Sequence, residues 1–240
     1  MPHHPTQRHQ TQLEGYFKTL ILLLRDRIGF MAQIAENQNV TSKIAALMVM
    51  GSVLFAVYGA IVGSFSGWPQ AISSAVKLPI LYLLTLLICF PTLYFFNVLF
   101  GSRKSLVQHF GILISAVAAI GVLLFSFAPI TLFFLVTTQN YSFFLLLNVA
   151  IMALTGIVGV KFLYDGMQMM SEQDDLSGYA NRKRLLQAWL GLYAFVGSQL
   201  GWTLRPFFGA PGEPFQLFRQ LEGNFYQSVF QAIANVLNLP

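Results

Sequence analysis

The sequence predicts an all-α integral membrane protein, a polytopic helical bundle that crosses the bilayer five times. Of its 240 residues, 55% are hydrophobic and only 10% are charged, whereas a soluble domain carries about 25% charged residues. The apolar residues also gather in long uncharged runs without the alternation of a membrane β-barrel. Because lipid offers no partner for free backbone groups, each run is predicted to be a helix.

The N-terminal region, residues 1–43, is predicted to lie on the membrane surface. Residues 1–12 are polar, and no short apolar segment with a cleavage site follows them, so they do not read as a signal peptide. Residues 16–34 combine Lys18, Arg25 and Arg27 with an apolar stripe too short to span. This pattern is typical of a basic amphipathic helix that lies in the interface.

The membrane domain is predicted to cover residues 44–204. A crossing helix needs about 20 residues for about 30 Å of hydrocarbon. The third apolar run is ambiguous, because residues 110–137 are uncharged but include Pro129. It is either one long helix kinked at this proline, or a span followed by a short re-entrant or interfacial piece. The five predicted spans are residues 44–62, 78–99, 107–128, 143–160 and 185–204.

The basic residues predict the orientation. All Lys and Arg residues except Lys77, Arg205 and Arg219 fall on one side of a five-crossing arrangement. Cytoplasmic loops carry the excess of Lys and Arg, so the N-terminus is predicted to be cytoplasmic and the C-terminal tail extracytoplasmic. The predicted location is a prokaryotic cytoplasmic (inner) or internal membrane.

The tail, residues 205–240, combines helix-breaking prolines and glycines with several aromatic residues. We expect it to fold over the outer helix ends as an extracytoplasmic cap. Arg205 follows the fifth span directly, where its guanidinium can bond free helix carbonyls, a lipid phosphate or Glu213. Residues 224–237 are predicted to form a second amphipathic helix. The candidate anchor consists of Arg205, Pro206, Phe207, Gly209 and Pro211.

Two pairs of glycines stand four residues apart, Gly59 with Gly63 and Gly197 with Gly201. Small residues at this spacing let two helix backbones approach closely in a membrane. The pattern predicts helix packing, and it does not distinguish a contact inside one chain from a contact between two chains.

Polar residues in or near the predicted spans are the remaining candidates for function. The amides of Asn97, Asn148, Gln187 and Gln199 either line a polar path or hold the bundle together by hydrogen bonds between helices, and the second interpretation is the favoured one. His109 is interpreted as an interfacial ring bonded to a loop, with a pH-sensitive or ligand-contacting group as the alternative.

No catalytic, cofactor-binding or metal-binding residue is predicted. All Asp and Glu residues lie outside the five runs, whereas proton-coupled transport or intramembrane proteolysis needs a carboxylate in the membrane. The leading prediction is therefore a non-enzymatic scaffold, assembly or membrane-organising factor. Its predicted partners are membrane lipids and another membrane protein or a second copy, with no nucleic acid. The alternative is a small-molecule or ion permease.

The layout of a cytoplasmic N-terminal region followed by five spanning helices resembles the Ypt-interacting-protein (YIP) family. The eukaryotic members carry a short Asp-Leu-Tyr-Gly-Pro signature that this chain lacks, so the resemblance implies topology and no mechanism. The tail also resembles that of a group of bacterial polytopic proteins. The residues that carry this second resemblance are Leu204, Arg205, Pro206, Phe207, Gly209, Pro211, Phe215, Arg219, Gly223, Asn224, Phe225 and Tyr226.

Overall fold

The computed structural model describes residues 5–138, 140–171, 179–209 and 214–218. These residues form α-helices and one 3-10 turn, Ser64–Ser66, so the predicted all-α class is confirmed for them. The predicted amphipathic helix at 224–237 lies outside the described residues. The helices are α1 (Pro5–Arg25), α2 (Arg27–Ala35), α3 (Val40–Gly63), α4 (Trp68–Leu99), α5 (Leu106–Thr137), α6 (Tyr141–Ser171) and α7 (Tyr179–Thr203).

Four helices, α3 to α6, are long and apolar enough to cross a membrane. The chain is therefore a multi-pass membrane protein. Both α4 and α5 have 32 residues, or about 48 Å at about 1.5 Å per residue. This exceeds a hydrocarbon core of about 30 Å, so these helices either tilt or extend into the headgroup region.

The prediction of five apolar spans was wrong by one, because the described residues contain four that meet the criteria of length and composition. The fifth predicted run does form a helix, α7, of 25 residues. This helix is less apolar than the other four. Three glycines and the polar residues Gln187, Ser198 and Gln199 lower its mean hydropathy.

Helix α7 nevertheless runs antiparallel to α4 along most of its length. At one end, the Arg182 guanidinium donates to the Phe100 carbonyl over 2.9 Å. Midway, the Trp189 indole N–H donates to the Cys89 carbonyl over 2.8 Å. Beyond the other end of α7, the Gln70 amide donates to the Pro206 carbonyl over 2.7 Å. Helix α7 therefore lies beside α4 from its C-terminal end, and the tail that follows α7 continues to the first turn of α4.

Helix α5 is the centre of the bundle. In its most apolar stretch 67% of the residues are buried, against 28–33% in the other three apolar helices. It packs between α3 and α6, and small residues such as Ala118 and Gly121 lie on its buried surface. The helix continues through Pro129 to Thr137, so of the two alternatives for this run the single long helix is formed and the re-entrant piece is not.

The predicted N-terminal helix at residues 16–34 is in fact two helices that meet at Asp26. The Asp26 carboxylate accepts a hydrogen bond from the Gly29 N–H over 2.9 Å and caps α2. A capping carboxylate competes with continuation of the preceding helix, which explains the break. Helix α2 then buries Phe30, Met31 and Ile34 against the ends of α5 and α6.

The second predicted span also begins earlier than expected. The predicted span begins at Leu78, whereas α4 begins at Trp68. Proline is tolerated in the first helical turn, where its missing N–H has no intrahelical partner to lose. Pro69 therefore starts the helix, and α4 gains a polar first segment that carries Lys77.

The two ends of the bundle differ in charge. We call the end that holds α2, the 100–105 connection and the start of α7 the basic end. The opposite end, which holds the 64–67 turn and residues 204–209, is the tail end. The described basic residues of the tail end are Lys77 and Arg205. At the basic end, Arg27 pairs with Asp165 over 3.1 Å.

Candidate functional site

The first segment of α4 carries polar residues on one face and apolar residues on the other. Gln70 and Ser74 stand four residues apart and Lys77 follows three later, so they share one helix face. All three side chains are buried, and Lys77 is only 4% exposed. The opposite face exposes Trp68, which is 76% accessible, and further apolar side chains. This arrangement suits a helix whose apolar face contacts lipid and whose polar face contacts another segment of the protein.

The segment that covers the polar face is the chain's own tail. We call residues 205–209 and 214–218 the tail cap. The Ser74 hydroxyl donates to the Phe207 carbonyl over 2.5 Å, and the Gln70 amide donates to the Pro206 carbonyl. Ser66 in the preceding turn donates to the Phe208 carbonyl over 2.7 Å. The carbonyls of three successive tail residues therefore accept hydrogen bonds from side chains. In a helix these carbonyls would accept from backbone N–H groups instead.

Lys77 connects the two parts of the tail cap. Its ammonium donates to the Pro206 carbonyl over 3.3 Å and to the Leu217 carbonyl. It also lies 4.9 Å from the centroid of the Phe218 ring. A buried cation in a membrane protein is costly unless dipoles or rings surround it. The tail cap supplies these groups and covers the lysine.

The far side of the tail cap bonds to the start of α6. The Tyr141 hydroxyl donates to the Gly209 carbonyl over 2.9 Å, and the Phe208 ring meets Phe144 edge to face at 6.2 Å between centroids. Gly209 has φ +71°, and an added Cβ there would overlap Ser66. Glycine is needed here because both the backbone conformation and the close approach exclude a side chain.

The predicted anchor residues are only partly brought together. The carbonyls of Pro206, Phe207 and Gly209 take part in the bonds described above, whereas Pro211 lies outside the described residues. The Arg205 guanidinium lies 3.6 Å from the centre of the Trp202 ring on the last turn of α7. Long-range hydrogen bonds to the tail carbonyls come from Ser66, Gln70, Ser74, Lys77 and Tyr141.

These donors were not among the predicted site residues, because residues 66–77 lie outside the predicted spans. The signal was present, since Gln70, Ser74 and Lys77 have the spacing of one helical face. A helical segment that is polar on one face is overlooked when spans are identified as long apolar runs, because its polar residues interrupt the run.

The two glycine pairs differ in what they face. A Cβ at Gly59 would overlap the Ser74 carbonyl oxygen, and a Cβ at Gly63 would lie 2.5 Å from that of Gln70. These two glycines therefore pack α3 against α4 inside the chain. In contrast, a Cβ at Gly197 would meet Thr85 at ordinary contact distance, and one at Gly201 would meet nothing within 4 Å.

The candidate polar residues of the spans lie in separate places. Asn148 is fully buried and accepts a hydrogen bond from the Tyr58 hydroxyl over 2.7 Å. The Asn97 amide donates to the Leu93 carbonyl one turn earlier on α4. Gln187 is exposed on α7, and Gln199 is half-buried nearer the tail end. The four amides therefore do not form one continuous path.

His109 lies buried near the start of α5. Its Nδ1 is 3.1 Å from the Ser105 carbonyl oxygen, and its ring meets Tyr94 edge to face at 5.4 Å. Ser105 and Gln108 form a capping box at the same helix start. This geometry places the histidine in the packing of the basic end.

Two large cavities lie between α6 and α7, one after the other along the bundle. The cavity nearer the tail end has a volume of about 300 Å³, and the other has about 370 Å³. Asn97, Asn148, Gln187 and Gln199 line neither of them. Within the described part of the chain, no group of three or more His, Cys, Asp or Glu residues is placed to hold a metal ion.

The fold and these contacts define a multi-pass α-helical membrane protein. No family model, no curated protein and no solved structure matches the chain. The resemblance to the YIP family and to bacterial proteins with a similar tail therefore stays a prediction, and function has to be argued from the geometry.

Proposed function

We propose that α7 is a fifth membrane crossing. It lies along α4 from the basic end to the tail end, and α4 is itself an apolar span. The polar atoms of Trp189 and Tyr193 point to α4 carbonyls, which removes them from lipid. Residues 185–204 contain no charged side chain. These contacts support a transmembrane orientation of α7 beside α4.

A fifth crossing places the two termini on opposite sides of the membrane. The basic residues of the α2 region, the 100–105 connection and the start of α7 then favour a cytoplasmic basic end in a prokaryotic inner membrane. On the same proposal, α1 lies in the cytoplasmic interface. Its exposed Phe17, Ile21 and Leu24 would contact acyl chains there.

Single cysteines in a Cys89→Ala background test this topology. Cysteines at Gln12 and Ser102 should resist an impermeant thiol reagent in intact cells, whereas those at Thr138 and Asn238 should be labelled. Protection at position 238 together with labelling at 138 would show four crossings and remove α7 as a span. Permeabilised cells, in which all four sites should react, provide the control for reactivity.

We propose that the protein is a non-enzymatic membrane scaffold or assembly factor. The observation that carries this proposal is the use of its buried polar groups. Asn148 bonds to Tyr58 on another helix, and the polar face of α4 bonds to the tail cap. Asn97 and His109 bond to carbonyls one turn earlier, at their own helices. Bonds between helices fix the shape of a bundle, and the candidate amides of the described residues do not form one aligned polar path for a solute.

Native purification and reconstitution test the scaffold proposal together. We expect a second membrane protein or a second copy to co-purify in fixed stoichiometry in mild detergent. Liposomes with the purified chain should show the same leakage of ions and small solutes as empty liposomes. A solute flux that depends on the protein, with no associated subunit, would instead support a permease.

A further inference from the structure

Helix α1 has two apolar faces, and one of them is left uncovered. Leu20 and Leu23 are buried in the hydrophobic core, and α1 packs mainly against α3. We call these two residues the packed face. Other apolar residues recur every three or four positions and so follow one line along the helix. Each is 43–56% exposed, and we call them the exposed stripe: Leu13, Phe17, Ile21 and Leu24.

Two exposed basic residues lie beside the exposed stripe. Lys18 and Arg25 stand about two helical turns apart, so they lie on one line, which we call the basic row. At about 100° per residue, the basic row lies about a quarter turn from the exposed stripe, on the side away from the packed face. Neither residue forms a salt bridge with a described residue. Glu14 lies on the same line, one turn before Lys18.

The order of these faces around α1 fits one orientation in the membrane. The exposed stripe points toward the hydrocarbon, because large apolar side chains are costly in water. The packed face then lies to one side, toward α3, and the basic row lies to the other side, toward the surrounding lipids. Long Lys and Arg side chains reach the level of the headgroups from such a position. Gly15 lies nearly opposite the exposed stripe and faces the water.

We propose that the basic row binds the phosphate groups of phospholipids beside α1, in the leaflet at the basic end. This inference rests on the interfacial position of α1 in the proposed function. Ammonium and guanidinium groups form charge-assisted hydrogen bonds with phosphate oxygens. Because Glu14 shares the line, the ligand is the phosphate that all phospholipids carry and not the added charge of an anionic headgroup. The exposed stripe beside the row excludes an acidic soluble partner, since such a partner would leave it in water.

A fluorophore on α1 measures this arrangement in nanodiscs. Single cysteines at Ile21, on the exposed stripe, and at Gly15, where a Cβ meets nothing within 4 Å, are labelled with bimane in the Cys89→Ala background. In phosphatidylcholine nanodiscs, brominated acyl chains should quench the label at position 21. Acrylamide, an uncharged quencher in the water, should quench the label at position 15 several times more strongly than that at 21.

The phosphate contact is tested by removing each of its two sides. Lys18→Gln combined with Arg25→Gln should raise acrylamide quenching at position 21 several-fold in phosphatidylcholine. The parent chain should show the same rise in nanodiscs of digalactosyldiacylglycerol, a lipid without phosphate. Lys183→Gln, a change at an exposed basic residue of α7, is the matched control and should have no effect.

The possible failures are distinguishable. Equal quenching by acrylamide at positions 15 and 21 would place α1 in water, and would overturn both this inference and the interfacial position of α1. Protection at position 21 that neither the double substitution nor the galactolipid changes would overturn the phosphate contact alone. Recovery of protection in galactolipid nanodiscs on addition of inorganic phosphate would assign the basic row to a free anion, and would also overturn the proposal.

Discussion

Gly59→Ala should destabilise the protein by about 1–3 kcal/mol relative to Gly191→Ala, the usual range for an overpacked core. Gly63→Ala should have a similar effect. Both substitutions add one methyl group to a helix, so their intrinsic gain in helix propensity is the same. The difference between the positions therefore reports packing alone, and it can be measured by thermal unfolding in detergent.

The expected cost comes from the atoms that the new methyl would meet. At Gly59 and Gly63 these are the backbone carbonyls of Ser74 and Gln70, which cannot turn away as a flexible side chain does. The first segment of α4 would have to move from α3. Because Gln70 and Ser74 also hold the tail cap, we expect the tail to become more sensitive to protease in the same variants.

Gly51→Ala provides a graded control on the same helix. Its Cβ would lie 3.5 Å from the Ala118 Cα, an ordinary contact distance, so the variant should be as stable as the parent or slightly more stable. Equal stability of the Gly51, Gly59 and Gly191 variants would mean that α3 and α4 do not approach closely. The glycine pair would then be available for a contact between chains.

The apolar helices could be predicted from sequence because each is a long run without charge. Residues 44–62 and 143–160 fall inside α3 and α6, and the helices extend past them into less apolar sequence. The same criterion fails where a helix is polar on one face. The predicted span began at Leu78, so Lys77 was left outside it, whereas α4 begins at Trp68.

Other differences have local physical causes that a hydropathy pattern does not contain. Asp26 divides the N-terminal helix, because its side chain caps α2. The predicted tail anchor was Arg205, because the sequence places it at a helix end with free carbonyls. Other partners of the tail carbonyls lie 133 residues earlier on α4 and 68 residues earlier on α6. Contacts between segments so far apart require the tertiary fold, so the donors could not be identified from spacing alone.

Lys77→Met should release residues 214–218 while the rest of the chain stays folded. The substitution keeps a long apolar side chain and removes the only buried lysine among the described residues. The Leu217 carbonyl would lose its ammonium donor and the Phe218 ring would lose its cation. The Pro206 carbonyl would keep the Gln70 amide. We therefore expect a local effect at the end of the tail cap.

Limited proteolysis in nanodiscs, where both membrane faces are accessible, measures this effect. Each lost hydrogen bond costs about 1–3 kcal/mol, so cleavage after Phe215 or Phe218 should be about 10 to 100 times faster when opening precedes cleavage. Thermal stability should change little, because removal of a buried charge also removes its desolvation cost. Lys43→Met is the matched control, since Lys43 bonds to Gln33 at the basic end.

Arg205→Ala distinguishes the two candidate anchors. If the bonds from α4 hold the tail, this variant should be cleaved more slowly than Lys77→Met, because Gln70, Ser74 and Lys77 remain in place. Faster cleavage of Arg205→Ala, with Lys77→Met cleaved at the parent rate, would assign the anchor to the arginine. In that case the contacts of Lys77 with the tail would serve to bury the lysine, and they would contribute little to the stability of the folded tail.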